Sequence, residues 1–164
     1  MKRSSIVIIA VTVLALTACT NANTTKSEWV SVQTEKELVF DRGDKIDSPN
    51  FTGDVWLNNL IMPDNENQNA VGSVTFSPGA RTSWHSHPAG QIILALDGVG
   101  YYQEKGKPVE IIRKGEVVKC PHNIPHWHGA SPDSEFIQVA ITGRENGPTV
   151  WYEAVTDEEY SSGK

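Results

Sequence analysis

Short apolar segments separated by turn residues recur through most of this chain, and this rhythm limits the folds open to it. Turn signals such as Ser77-Pro-Gly79, Asp97-Gly98 and Lys114-Gly115 return about every ten residues. The predicted strands are 51–57, 70–76, 81–87, 91–96, 100–103, 109–112, 116–120, 126–128, 136–142 and 150–155. Many short strands of this kind are typical of an all-β sandwich or barrel. We therefore predict a double-sheet jelly roll, with one helical turn at 157–160.

The histidines are concentrated in one part of the sequence, since all five lie between His85 and His128. Alternate residues of a strand point to the same face, so His85 and His87 should project side by side. The segment Pro88-Ala-Gly90 ends that strand, and a tight turn would bring Gln91 back beside the two imidazoles. His126 can come from a neighbouring strand.

Imidazoles that point into a barrel need partners, because unpaired buried polar groups are costly. One divalent metal ion would satisfy several of them at once. The sequence therefore predicts His85, His87, Gln91 and His126 as metal ligands. The alternative is a polar cavity without metal, in which water bridges the histidines.

Two spaced motifs resemble those of the cupin superfamily. The first is Gly79-x5-His85-x-His87-x3-Gln91-x6-Gly98, and the second is Gly115-x5-Pro121-x-Asn123-x2-His126. Gln91 stands where the first motif usually has Glu. Asn123 replaces a turn glycine, and asparagine tolerates positive φ. The resemblance is strongest over 70–142 and implies the cupin jelly-roll barrel.

A narrower resemblance covers 79–88, 98–106 and 126–130. These segments are similar to small bacterial cupins that include manganese-dependent hydroxynitrile lyases. The resemblance implies a small-molecule substrate, manganese as the metal and a homodimer formed through N-terminal strands. It also implies that His128 takes the cyanohydrin proton as general base. One departure is Gln138, since the characterised lyases carry a histidine at the matching place.

The predicted ligands constrain the metal only broadly. Three neutral imidazoles and an amide oxygen cancel none of the charge of the ion, so the site should be a strong Lewis acid. Imidazole suits Mn, Fe, Ni and Zn alike, and the oxygen ligand favours Mn or Fe. Two other functions stay open beside a lyase: a non-catalytic exported cupin that binds metal or a small ligand, and an iron-dependent dioxygenase.

Alternation along the strands also predicts the substrate pocket. His128 lies two residues after His126 and should face the same cavity, as a fifth nitrogen near the metal or as a base. The wall residues expected from alternation are Val74, Phe76, Ile93 and Ala95, and the resemblance to the lyases implies Gln138 as a further one.

The first nineteen residues predict export rather than folding. Lys2 and Arg3 precede an apolar segment, 6–16, that is too short to span a bilayer and typical of a signal peptide. Leu16-Thr-Ala-Cys19 resembles the lipobox of bacterial lipoproteins, which implies cleavage before Cys19 and lipid on its sulfur. We predict a signal peptide at 1–19, a tether at 20–28 and a single domain at 29–164, outside the cytoplasm and anchored by lipid.

The charge of the chain argues against polyanionic partners. The formal net charge is −6, and the loss of Lys2 and Arg3 with a leader would make it −8. No basic cluster offsets this charge, so neither nucleic acid nor an anionic membrane surface is an expected partner. The lipid is then the only expected attachment to a membrane.

Overall fold

The computed structural model describes residues 37–163. The predicted signal peptide, the lipidation site Cys19 and the tether 20–28 lie outside the described residues. Within 37–163, no helix is long and apolar enough to cross a membrane.

The regular secondary structure of the described chain is all strand except for one short helix near its end. The elements are β1 (Asp44–Lys45), β2 (Phe51–Thr52), β3 (Val55–Ile61), β4 (Asn69–Phe76), β5 (Arg81–Thr82), β6 (His85–Ser86), β7 (Gln91–Glu104), β8 (Glu110–Arg113), β9 (Val117–Cys120), β10 (His126–Ala130), β11 (Phe136–Gly143), β12 (Val150–Trp151) and α1 (Asp157–Ser161).

Every strand pairing is antiparallel, and the main order is β1-β3-β4-β11-β7-β10-β5-β2. The long strand β7 connects two halves of this curled sheet. Its first part pairs with β11 and β9, and its second part pairs with β10 and β8. The predicted all-β jelly roll is confirmed, and the concave side of the curled sheet holds the core.

The strand β7 corrects one expectation, because the sequence predicted two strands, 91–96 and 100–103, separated by a turn at Asp97-Gly98. The chain instead continues as one strand of fourteen residues. Gly98 has φ +77, and a Cβ there would lie 1.7 Å from the carbonyl oxygen of Glu135. The pairing with β11 shifts register beside it, between Ile137 and Gln138. Leu96 is the residue left without a partner on β11, so a bulge lies there, and Gly98 permits the close approach of Glu135 where the strand passes from one half of the sheet to the other.

Three other predicted strands are shorter or interrupted. The segment 81–87 forms two short strands, β5 and β6, which both pair with β10. The segment 51–57 is divided into β2 and β3 at Gly53, which has φ +78. Of 150–155, only β12 is strand, and it pairs with β6.

Asn123 adopts φ 59 and is the one non-glycine residue with positive φ in the described part of the chain. It lies in the turn before β10, where the motif usually has glycine. The turn that delivers His126 to its strand therefore has the backbone conformation that the sequence predicted.

Two apolar clusters pack against the sheet. The larger one fills the interior and includes Val55, Phe76, Ile93 and Phe136. The smaller one packs Trp84 and Trp127 with aromatic residues and with Val155 on the other side of β10.

The helix α1 closes the smaller cluster. Thr156 caps it: the Thr156 hydroxyl accepts from the Glu159 N–H at 3.1 Å, and the Glu159 carboxylate accepts from the Thr156 N–H at 2.9 Å. The buried Tyr160 donates its hydroxyl to the Ala130 carbonyl at 2.9 Å. The end of the chain is thereby fastened to the back of β10, the strand that carries His126 and His128.

Candidate metal centre

Four histidines meet on the interior side of the sheet. The ring of His85 lies at the centre, with ring centroids of His126, His87 and His128 at 4.4, 5.0 and 5.2 Å from it. All four side chains are buried. The i, i+2 spacing within 85–87 and within 126–128, and the pairing of His126 opposite His85, produce this arrangement.

Backbone carbonyls orient two of the rings. His85 Nδ1 lies 3.0 Å from the Ser83 carbonyl oxygen, and His126 Nδ1 lies 2.9 Å from that of Ile124. A carbonyl can only accept, so each Nδ1 carries the proton and each Nε2 keeps its lone pair. This is the arrangement in which histidine binds a metal through Nε2.

Several ring nitrogens are buried without a hydrogen-bond partner: His87 Nε2, His126 Nε2 and His128 Nδ1. Buried polar atoms in folded proteins are normally paired, and an unpaired one costs about 1–3 kcal/mol. A divalent ion would accept these lone pairs together. The donor set therefore fits a metal.

The geometry differs in one respect from the ligand set that the sequence predicted. Nitrogens of His85, His126 and His128 all lie within 4.8 Å of one another and form a group that could hold a metal ion. His128, predicted as the base, is thus within ligating range. His87 is not part of that group of three, although its ring lies 5.4 Å from that of His126.

Gln91 is the fourth predicted ligand, and its amide is already engaged. Its Nε2 donates to Thr142 Oγ1 at 2.9 Å, and its Oε1 accepts from Cys120 Sγ at 3.8 Å. The turn before it has the predicted form, since the Gly90 N–H donates to the His87 carbonyl at 3.0 Å. Gln91 therefore lies beside His87, as expected, with its amide between two neighbouring strands.

Burial keeps the histidines neutral. Desolvation, followed by the nearby His126, lowers the pKa of His87 to about 3. Desolvation also lowers the pKa of His126, and lowers those of His85 and His128 well below the ordinary value. At neutral pH all four rings therefore offer lone pairs rather than positive charge.

A cavity of about 190 Å³ opens onto three of these rings, those of His85, His87 and His128. Its wall is apolar on one side, with Leu57, Val74, Phe76 and Ala140 among the lining residues. The polar lining residues are His85, His87, His128, Gln91, Thr82, Thr142, Arg144 and Thr149. No aspartate or glutamate borders this cavity in the described chain.

The structure places the predicted wall residues in two groups. Val74 and Phe76 border the cavity. Ile93 and Ala95 lie in the interior apolar cluster instead and do not border it. Gln138 is fully buried next to them, and neither amide atom has a hydrogen-bond partner.

Sequence reasoning missed Arg144, Thr149 and Trp151, which also border the cavity. The ring of Trp151 lies 4.9 Å from that of His85. These residues follow β11 or lie in β12, which reaches the site only by pairing with β6. Alternation along β11 could have indicated Thr142, whereas no local signal marks the other three.

Comparison with known proteins agrees with this geometry. Residues 72–141 match the cupin domain family. The chain is 44% identical over 111 residues to an (R)-mandelonitrile lyase of Granulicella tundricola, covering 67% of this chain and 85% of the lyase.

Solved structures give the same fold. A cupin-like protein of Thermotoga maritima aligns with a TM-score of 0.75 and 46% identity, over 77% of this chain and 97% of its own. The polyketide cyclase RemF of Streptomyces resistomycificus aligns with a TM-score of 0.59 and 18% identity, over 77% and 92% of the two chains. At 18% identity, the similarity to RemF shows a shared fold alone.

Proposed function

Because this chain belongs to the cupin superfamily and is related to hydroxynitrile lyases, we propose that it is a metal-dependent lyase acting on a small cyanohydrin-type substrate. The observation that carries the proposal is the convergence of buried, neutral imidazoles with unpaired nitrogens on one cavity. The relation to the mandelonitrile lyase supports the choice of reaction.

His85, His87, Gln91 and His126 are the proposed ligands, and manganese is the proposed metal. A divalent ion in such a neutral donor set would supply a Lewis acid opposite the negative charge that develops on the substrate oxygen. Iron, zinc and nickel suit imidazole ligands as well. Metal analysis of the protein purified without an affinity tag distinguishes them.

His128 is the proposed base. Its Nδ1 is buried and unpaired, and the ring borders the cavity. It would take the proton of the substrate hydroxyl while the bond between the carbinol and nitrile carbons breaks. The electron pair of that bond leaves with cyanide, the O–H pair becomes the carbonyl bond, and the imidazolium returns its proton to give hydrogen cyanide. The low basicity of a buried imidazole favours the return of the proton.

The apolar wall would hold the organic substituent of the substrate. Leu57, Val74, Phe76 and Ala140 present only hydrocarbon to the cavity, which excludes water from that side. A cavity of about 190 Å³ suits a small substrate.

One observation favours a second candidate, a non-catalytic cupin that binds metal or a small ligand. Gln138 stands where the characterised lyases carry a histidine, and it is buried without partners. Glutamine cannot exchange a proton near neutral pH, so it cannot serve as a second base. Tight ligand binding without turnover would support this candidate.

The test compares the metal-loaded chain with its His128→Ala variant in release of cyanide from racemic mandelonitrile. If His128 is the base, the variant keeps its metal and loses about 10²–10⁴-fold in turnover. His122→Ala is the matched control, because His122 is exposed and does not border the cavity. Undiminished cleavage in the His128 variant removes it as the base, whereas stripped metal makes it a ligand.

A further inference from the structure

Among the residues that the structure describes, Arg144 is the one cationic side chain that borders the cavity. Its Nη1 donates to Thr149 Oγ1 at 2.9 Å, and this is its only side-chain hydrogen bond to the described residues. No carboxylate of residues 37–163 forms an ion pair with it. Most of its five N–H donors are thus available to a ligand.

The backbone holds Arg144 in a defined position. It follows β11 directly, its N–H donates to the Gln68 carbonyl at 2.9 Å, and its carbonyl accepts from the Gly147 N–H at 3.1 Å. Burial lowers the pKa of Arg144, and no neighbouring charge opposes that effect. The guanidinium is therefore partly removed from water without receiving a counterion from the wall.

Thr149 links this guanidinium to the histidine cluster. Its Oγ1 also lies 3.2 Å from His87 Nδ1. When His87 binds metal through Nε2, its Nδ1 carries the proton and donates to this oxygen. Thr149 then accepts from both neighbours, and its own hydroxyl proton is free to donate toward the cavity.

We infer that Arg144 and Thr149 form an anion-binding subsite beside the histidines, and that the ligand of this cavity carries a carboxylate. The inference about the substrate rests on the proposed function: the lyase would act on a cyanohydrin whose far end is a carboxylate. Within 37–163 the wall supplies a guanidinium and no acidic group, and arginine recognises a carboxylate through two parallel N–H bonds. The net negative charge of the chain is compatible with an anionic ligand, because a cleft lined by positive charge attracts an anion locally.

Propionate and propionamide are suitable probes, because they have nearly the same shape and differ in charge. Calorimetric titration of the metal-loaded full-length chain should detect binding of propionate and little or no binding of propionamide. Arg144→Gln should weaken propionate binding by roughly tenfold to a hundredfold, the usual effect of losing hydrogen bonds to a charged group. Arg144→Lys keeps the positive charge but lacks the planar guanidinium, so its affinity for propionate should lie between those of the wild type and Arg144→Gln.

Arg113→Gln is the control variant, because Arg113 is exposed and lies outside this cavity. It removes the same charge and should leave propionate affinity unchanged. Thr149→Val provides a second variant at the subsite, with an expected weakening of several-fold if the hydroxyl contributes one hydrogen bond. Thermal melting of each variant checks that it is folded.

Repeating the titration after removal of metal by a chelator separates the subsite from the metal. Propionate binding that persists and still depends on Arg144 supports the subsite. Equal affinity in the wild type and Arg144→Gln, or binding lost entirely with the metal, overturns it. Cyanide release is measured with mandelonitrile and with a mandelonitrile that carries a ring carboxylate. Propionate binding that depends on Arg144, in a protein that releases no cyanide from either, supports the subsite and refutes the lyase. Cyanide release without propionate binding supports the lyase and refutes the subsite.

Discussion

Gln91→Glu changes an amide to the carboxylate that cupins usually have at this position, and the structure sets the size of its effect. Gln91 is only 8% exposed and contacts Thr142 and Cys120, neither of which carries charge. The metal-free variant must either take up a proton or bury a charge for which Arg144 is the one cationic side chain among the described residues of the cavity wall. Protonating a carboxyl of ordinary pKa about 4.3 costs about 3.7 kcal/mol at pH 7, so this is the upper limit of its destabilisation.

The pH dependence of this penalty has a definite sign. Burial raises the folded-state pKa of the introduced carboxyl, so the folded variant binds a proton that the unfolded chain lacks. Its deficit relative to the wild type therefore grows as the pH rises above about 4.3. At pH 5 the same protonation costs about 1 kcal/mol. Bound metal supplies the missing positive charge, so the deficit should shrink or reverse in the metal-loaded protein.

Urea denaturation of both proteins, with chelator and with Mn²⁺, at pH 5 and pH 7, measures these differences. Gln68→Glu is the control, because Gln68 is exposed and the same chemical change there should alter stability by less than about 0.5 kcal/mol. A Gln91→Glu protein as stable as the wild type at pH 7 without metal would refute the argument from burial. A deficit that metal does not reduce would show that residue 91 does not face the ion.

Three further predictions concern the metal, the anchor and the assembly. His85→Ala or His87→Ala should lose most bound metal by elemental analysis, because each removes one ligand and the support of its neighbours, whereas His122→Ala should retain it. Full metal content in the His87→Ala variant would show that His128, rather than His87, is the third histidine ligand. Cys19→Ser should abolish fatty-acid labelling and leave the protein uncleaved or soluble, and equal labelling of both forms would contradict the anchor. Light scattering on the domain should give about twice the monomer mass, since exposed strand edges favour pairing, and a monomer at micromolar concentration would count against the dimer.

Much of this protein can be predicted from local sequence, because turns and alternation are local properties of the chain. Asn123 shows this for the backbone, since an asparagine at the place where the second motif usually has a turn glycine indicated the positive φ that the turn before β10 adopts. His85 and His87 show it for the site, because a spacing of two residues places both rings on one face.

Only the tertiary structure decided which distant side chains complete the site. Asp97-Gly98 looked like a turn, and it is the close carbonyl of Glu135 on the neighbouring segment that requires a glycine within a continuous strand. Arg144 and Thr149 reach the cavity because β11 pairs with β4 and β12 pairs with β6. Both partner strands lie about sixty residues or more earlier in the chain, and no local sequence pattern specifies such pairings. The sequence by itself thus determines most of the segments that form strands, though not all of their ends, and it determines the paired histidines. Strand pairing determines the position of the guanidinium, the cavity and the distance of His128 from its neighbours, because these depend on contacts between segments far apart in the chain.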